Sequence, residues 1–132
     1  MITEFFLPMI PPTVTAQEKG ETIIKGKIHH YIKPEVREVA DKFKRMLSQK
    51  KPEKPYKGAV RLITKWCYPI TKGHLDGEYK TTKPDTDNSL KLLKDCMTDI
   101  GFWEDDSQVA SEITEKFWAM PTGIYIRVES LD

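Results

Sequence analysis

Pro84-Asp85-Thr86-Asp87-Asn88-Ser89-Leu90-Lys91-Leu92-Leu93-Lys94-Asp95-Cys96-Met97-Thr98-Asp99-Ile100-Gly101 is the stretch around which the rest of the chain can be arranged. Leu90, Leu93, Met97 and Ile100 recur at helical spacing, and Leu92 and Cys96 widen the apolar stripe. Pro84 blocks a helix before it and Gly101 ends one after it. The spacing predicts a helix starting near Asn88, with Asp85 and Asp87 at its start and Lys91 about one turn in, near the Asp87 side chain.

Downstream, Val109 to Trp118 and Ile124 to Val128 read as strands joined by a turn at Pro121-Thr122-Gly123. In the second, Ile124, Ile126 and Val128 alternate with Tyr125, Arg127 and Glu129, as on a half-buried antiparallel strand. Upstream, residues 69–84 read as a polar, glycine-containing loop and Gly58 to Tyr68 as a strand rich in β-branched and aromatic residues. Lys50 to Lys57, with Pro52 and Pro55, is a basic loop. Val36, Val39, Ala40, Phe43, Met46 and Leu47 predict an amphipathic helix over residues 34–49, opened by Pro34. Residues 21–32 are β-prone around Gly26, and residues 2–7 form a short strand before Pro8 and Pro11-Pro12. The order β-(β)-α-β-α-β-β predicts a single α+β domain over residues 1–132, a mixed β-sheet packed against two main helices.

Composition agrees. With 132 residues, 39% hydrophobic and 31% charged, the chain can bury a core of its own, and wholesale disorder is excluded. No apolar run approaches the ~18 residues of a membrane helix, and no signal-peptide pattern opens the chain. Cys67 and Cys96 sit in apolar stretches and read as buried free thiols, which fits a reducing cytoplasm. The net charge of +1 conceals a segregation: residues 1–84 carry 17 basic against 9 acidic residues, residues 85–132 carry 4 against 11. Between Lys42 and Lys65 nine basic residues face only Glu53. A basic half suits a polyanion and an acidic half suits metal ions; the competing reading is a solvated helix face and a lysine-rich loop. A basic half that engages about six phosphates or more makes binding fall steeply with salt.

The acids cluster in two places, Asp85/Asp87 and Asp105/Asp106, and a strand beside the helix start brings Asp106 back to Asp85 and Asp87. Two carboxylates ~4 Å apart repel by about 4 kcal/mol at an effective dielectric of ~20. A hard divalent cation removes that repulsion, and Mg²⁺ characteristically takes one or two carboxylates plus substrate phosphate. The residue types therefore suit metal-assisted phosphodiester hydrolysis. Helix capping by Asp87 or Asn88 and turn formation by Asp105-Asp106-Ser107 account for the same residues structurally. An EF-hand is excluded because Leu90 stands where glycine is required and Cys96 where glutamate is. A restriction-type nuclease motif lacks its acid-x-Lys, since Glu115 and Lys116 are adjacent. His29, His30, His74 and Cys67 match no zinc spacing.

Asp85-x-Asp87-Asn88-x-x-Lys91-x-x-x-Asp95, then Gly101-Phe102-Trp103-x-Asp105-Asp106-x-Gln108-Val109, resembles the signature of the RusA-type Holliday junction resolvases. The resemblance covers residues 83–118 well and the remainder by layout, including Pro11-Pro12-Thr13-Val14, where Thr15 replaces a common asparagine. It implies a homodimeric endodeoxyribonuclease that resolves four-way or other branched DNA by paired nicks in recombination and repair, in a bacterial or phage-infected cell. It further implies Mg²⁺, with Mn²⁺ as substitute ion, bound by the residues matching Asp85, Asp87 and Asp106, and a lysine matching Lys91 needed for cleavage. Lys116 matches a basic position of the family, expected at phosphate or in support of the site, with an ion pair to Glu112 as the alternative. Asp95 is expected to orient Lys91 by an i,i+4 pair, with Asp105 in support. Lys80 and Lys83, next to the acidic motif, are the expected DNA contacts. Trp66, Trp103 and Trp118 are expected in the core rather than stacked on bases. A non-catalytic branched-DNA-binding protein and a nuclease preferring flaps or forks are the alternatives.

Overall fold

The strand Val60–Tyr68 buries every second residue, Val60, Leu62, Thr64, Trp66 and Tyr68, and leaves Arg61, Ile63, Lys65 and Cys67 on the more open side. That alternation makes it the centre of the sheet in the computed structural model, which describes residues 1–13, 19–24 and 26–132 and, for the strands at 19–24 and 28–32, their backbone alone. Val14 and Thr15 lie outside the described residues, as do the side chains of His29 and His30.

In chain order the elements are β1 (Ile2–Pro8), β2 (Lys19–Ile24), β3 (Lys27–Ile32), α1 (Pro34–Ser48), β4 (Val60–Tyr68), β5 (Glu78–Tyr79), α2 (Thr86–Ile100), a 3₁₀ turn (Asp106–Gln108), β6 (Val109–Trp118) and β7 (Gly123–Ser130). Five strands form one sheet in the order β1-β7-β4-β6-β5, and β2 and β3 pair as a separate hairpin. β4 and β6 run parallel, from Val60 beside Val109 to Tyr68 beside Trp118, with α2 in the crossover; the other pairings between these strands are antiparallel, and an isolated parallel bridge joins Tyr56 to Trp103. The domain is therefore α+β with a mixed sheet and two helices.

Helices α1 and α2 pack on each other, and Phe43 of α1 meets Trp66 of β4 edge to face at 6.5 Å. Phe43, Leu47, Leu62, Trp66, Leu93, Met97, Ile124, Ile126 and Val128 form the centre of the core. Gly101 ends α2 in a left-handed conformation, φ 94°, and the Phe102 N–H reaches back to the Met97 carbonyl at 3.0 Å. That turn drives Phe102 and Trp103 inward, both at most 1% exposed, and Trp103 Nε1 donates to Thr98 Oγ1 at 2.8 Å. All three tryptophans are buried, so none is a surface for bases.

Two boundaries differ from expectation. Helix α2 begins at Thr86, which makes Asp85 its N-cap residue, although the Asp85 side chain makes no capping bond. The expected loop 69–84 contains β5 and is anchored at residues 76–80: Gly77 N–H donates to the Trp118 carbonyl, Lys80 N–H to the Lys116 carbonyl, and Met120 N–H to Asp76 Oδ1. Two residues carry no alternation to read, so β5 has no signature in the sequence.

Both thiols are free. Cys96 is buried between the helices, 3.7 Å from the Ala40 carbonyl, and burial pushes its pKa from 9.0 up to about 11. The native state thus favours the neutral thiol: its contribution is whole below pH 9 and is lost as the pH rises toward 11. The loss reaches about 3 kcal/mol at most, at ~1.36 kcal/mol per pH unit. Thermal denaturation of Cys96→Ala is expected to show a shallower fall between those pH values; an unchanged fall places its cause elsewhere.

Candidate active site

The first turns of α2 present Asp87, Lys91 and Asp95 four residues apart along one side, with Leu90 and Lys94 beside them. These five residues, with Asp106 from the 3₁₀ turn and Glu112 from β6, line a concavity of about 250 Å³. The β4–α2–β6 crossover explains the meeting: the helix lies over the strand that follows it, and the turn carrying Asp106 joins them. A neighbouring concavity of about 410 Å³ shares Asp95 and Asp106 and is lined further by Thr98, Asp99, Glu104 and Asp105.

The structure brings together Asp87, Lys91, Asp95 and Asp106. Asp85, exposed at the N-cap, is not in the lining. Among the described residues no three His, Cys, Asp or Glu side chains stand close enough to hold an ion. Lys91 Nζ lies 4.0 Å from Asp95 Oδ2, a loose i,i+4 pair between half-exposed side chains that leaves the ammonium accessible. Glu112 is paired with Lys94, not with Lys116.

The two adjacent aspartates are divided in their duties. Asp105 accepts the Ser107 N–H at 2.8 Å and forms a capping box with Gln108. The Ser107 backbone N–H, then its hydroxyl, hold the Asp105 carboxyl below its ordinary value. Asp106 is left to face both concavities. Gln108 secures the turn with all four of its hydrogen-bonding positions: Oε1 accepts from Glu104 N–H (2.8 Å) and Asp105 N–H (3.0 Å), and Nε2 donates to the carbonyls of Tyr56 (2.9 Å) and Gly58 (3.0 Å). Gln108→Ala is expected to cost about 1–3 kcal/mol in denaturant unfolding, the range for orphaned partners; a change under ~0.5 kcal/mol means that water substitutes for the amide.

Of the three lysines expected near DNA or in support of the site, Lys80 departs from expectation. Lys116 Nζ donates to the carbonyls of Thr82 and Pro84, each at 2.7 Å, so its place is in support of the segment before Asp85. Lys80, expected at DNA, is only 9% exposed: just past β5 its N–H bonds the Lys116 carbonyl and its side chain turns inward, while Tyr79 stays exposed. Its ammonium lies over the rings of Trp118 (4.7 Å) and Tyr68 (5.0 Å) and donates to Thr82 Oγ1 and the Lys83 carbonyl. Lys83 itself is exposed. Of the basic half, Lys42, Arg45, Lys50, Lys51, Lys54 and Lys57 are exposed, whereas Lys44 is paired with Asp99 at 3.1 Å.

Sequence reasoning missed Lys94, and it named Gln108 only within the motif and Glu112 only as a partner for Lys116. The Asp105-x-x-Gln108 spacing is a readable capping-box signal, and strand alternation puts Glu112 on the same face of β6 as Lys116.

Comparison with known proteins agrees with the motif. Residues 9–129 match the family described as Endodeoxyribonuclease RusA. A protein of Lactococcus phage r1t named crossover junction endodeoxyribonuclease rusA is 32% identical over 108 residues, 80% of this chain and 79% of that protein. The uncharacterized protein YqaN of Bacillus subtilis (strain 168) is 29% identical over 121 residues, 89% of this chain and 68% of that protein.

Proposed function

The chain belongs to the RusA family of endodeoxyribonucleases, and on that premise we propose that it resolves four-way DNA junctions by paired, symmetric, metal-dependent nicks, acting as a homodimer in DNA recombination and repair. The observation that carries the reading is the shared concavity of Asp87, Lys91 and Asp106. The name of the phage relative supports a crossover junction as the substrate.

The donor set fits a hard divalent cation. Every acidic group at the concavity is a carboxylate, with no imidazole or thiolate among the lining residues, which suits Mg²⁺ or Mn²⁺ over zinc. Asp87 and Asp106 would hold the ion, the one or two carboxylates characteristic of Mg²⁺, and Asp85, outside the concavity at the N-cap, would join them only by turning toward the ion. When bound, such an ion activates a water molecule and offsets charge on the phosphate.

The chain's own residues supply the rest. Lys91 places an ammonium where the scissile phosphate meets the acidic pocket and steadies the charge that grows on it. Asp95 restrains Lys91 without neutralising it, being only loosely paired. Lys83 and the exposed lysines of α1 and the following loop attract the phosphate backbone. Two copies of the site, one per protomer, match the two strands that a symmetric resolution must cut. No helix among the described residues is long and apolar enough to cross a membrane, and the cytoplasm of a bacterial or phage-infected cell is the proposed location.

The test is incubation of a labelled four-way junction with Mg²⁺ and, separately, with chelator. Paired nicks with metal and none with chelator are expected. Binding without cleavage in both would make the protein a branched-DNA binder, and faster cutting of flaps or forks in a substrate panel would reassign its preference.

A further inference from the structure

The segment Thr82-Lys83-Pro84 delivers the chain to Asp85, and all three of its carbonyls are held by two ammonium groups. Lys80 Nζ donates to the Thr82 carbonyl (3.3 Å), Thr82 Oγ1 (2.6 Å) and the Lys83 carbonyl (2.5 Å). Lys116 Nζ donates to the Thr82 and Pro84 carbonyls. Lys80 comes from the end of β5 and Lys116 from β6, and the Lys80 N–H bonds the Lys116 carbonyl at 2.9 Å, so both groups stand on one rigid backbone frame.

Lys80 is a costly residue to place there. Its side chain is largely buried, no carboxylate among the described residues pairs with it, and a second cation, Lys116, stands beside it. Its compensation comes from the carbonyls and from two ring faces. Burial, then the Lys116 charge, hold its pKa below the ordinary value. The Trp118 ring that Lys80 faces has its Nε1 buried without a hydrogen-bond partner among the described residues. An apolar side chain of the same length would fill the space more cheaply and would hold no carbonyl.

We propose that Lys80, together with Lys116, is a positioning residue for the nuclease site: the two ammonium groups clamp the carbonyls of residues 82–84 and thereby fix Asp85 and the first turn of α2, which carries Asp87. Neither lysine touches DNA. The inference rests on the nuclease reading for its consequence, but the clamp itself is measurable without metal or substrate.

Three measurements on Lys80→Met and Lys116→Met, with the loop variant Lys72→Met as control, test it. In metal-free protein, hydrogen exchange at the amides of residues 85–89 is expected to accelerate at least about tenfold in both clamp variants while the β4 amides stay protected. Mn²⁺ affinity, followed by paramagnetic resonance, is expected to weaken about tenfold, the low end for residues that support ligands from behind. Junction affinity in chelator is expected to change less than about twofold. Lys80→Arg, which keeps the donors, is expected to recover part of the Mn²⁺ affinity. Lys116→Met keeps the test decisive if Lys80→Met does not fold, since Lys116 is only partly buried. Unchanged exchange and Mn²⁺ affinity in folded variants would overturn the clamp. A fall in junction affinity larger than the fall in Mn²⁺ affinity would overturn it too, by making the lysines DNA contacts. Failure of the unmodified protein to bind Mn²⁺ or nick a junction would instead remove the nuclease reading, with the clamp judged by exchange alone.

Discussion

Asp106→Asn is expected to lower nicking of a four-way junction by about 10³-fold, roughly 4 kcal/mol, the scale on which loss of a metal-anchoring carboxylate removes transition-state stabilisation. The fold is expected to survive, because the turn that carries Asp106 is secured by others: Asp105 caps it and Gln108 binds it to Tyr56 and Gly58. Asp106 is exposed and faces the concavities. Junction binding in chelator is expected to hold or to tighten slightly, since the substitution removes a negative charge from a surface that meets phosphate. Nicking assays paired with gel-shift measurements decide the matter, and a variant that still cuts at near the original rate removes Asp106 from the catalytic set.

Lys91→Ala is expected to behave differently. Its ammonium is half exposed and 4.0 Å from Asp95, so it is neither a core element nor a tightly bound partner. Its loss is expected to reduce kcat by about 10²-fold, the effect of one removed charge-stabilising donor, with Mn²⁺ affinity changed less than about threefold. The opposite split, a collapse of Mn²⁺ affinity with kcat preserved at saturating metal, would make Lys91 an organiser of the carboxylates instead.

What the sequence made legible and what it withheld have physical reasons. Helix α2 was readable because Leu90, Leu93 and Met97 face the core at helical spacing, and β7 because Ile124, Ile126 and Val128 alternate. The site was readable in outline, since a helix crossing over to the strand after it must bring the two acidic clusters near each other. The exact start of the helix was not, because Pro84 restricts only the residues next to it. The difference of two residues puts Asp85 at the N-cap and outside the concavity. Lys80 was misjudged because composition records a charge and not the side of the backbone it leaves from. Only the docking just past β5, where its N–H bonds the Lys116 carbonyl, fixes that, and a two-residue strand is below what periodicity can detect. Lys116 had the opposite fortune: a long strand revealed its face, opposite Ile113 and Phe117, though not the carbonyls it would meet.

The position of β7 has a consequence for how the molecule comes into being. It lies between β1 and β4 and is antiparallel to both, with Ile2 opposite Glu129 and Leu62 opposite Val128. Until β7 has been synthesised, β1 has no neighbour in the sheet and β4 lacks one of its two, so two apolar strand edges wait open on the ribosome. Pairings of such sequence separation close slowly. Nuclease competence should therefore arrive late and all at once on translation, with no cutting activity in nascent chains that stop short of Gly123.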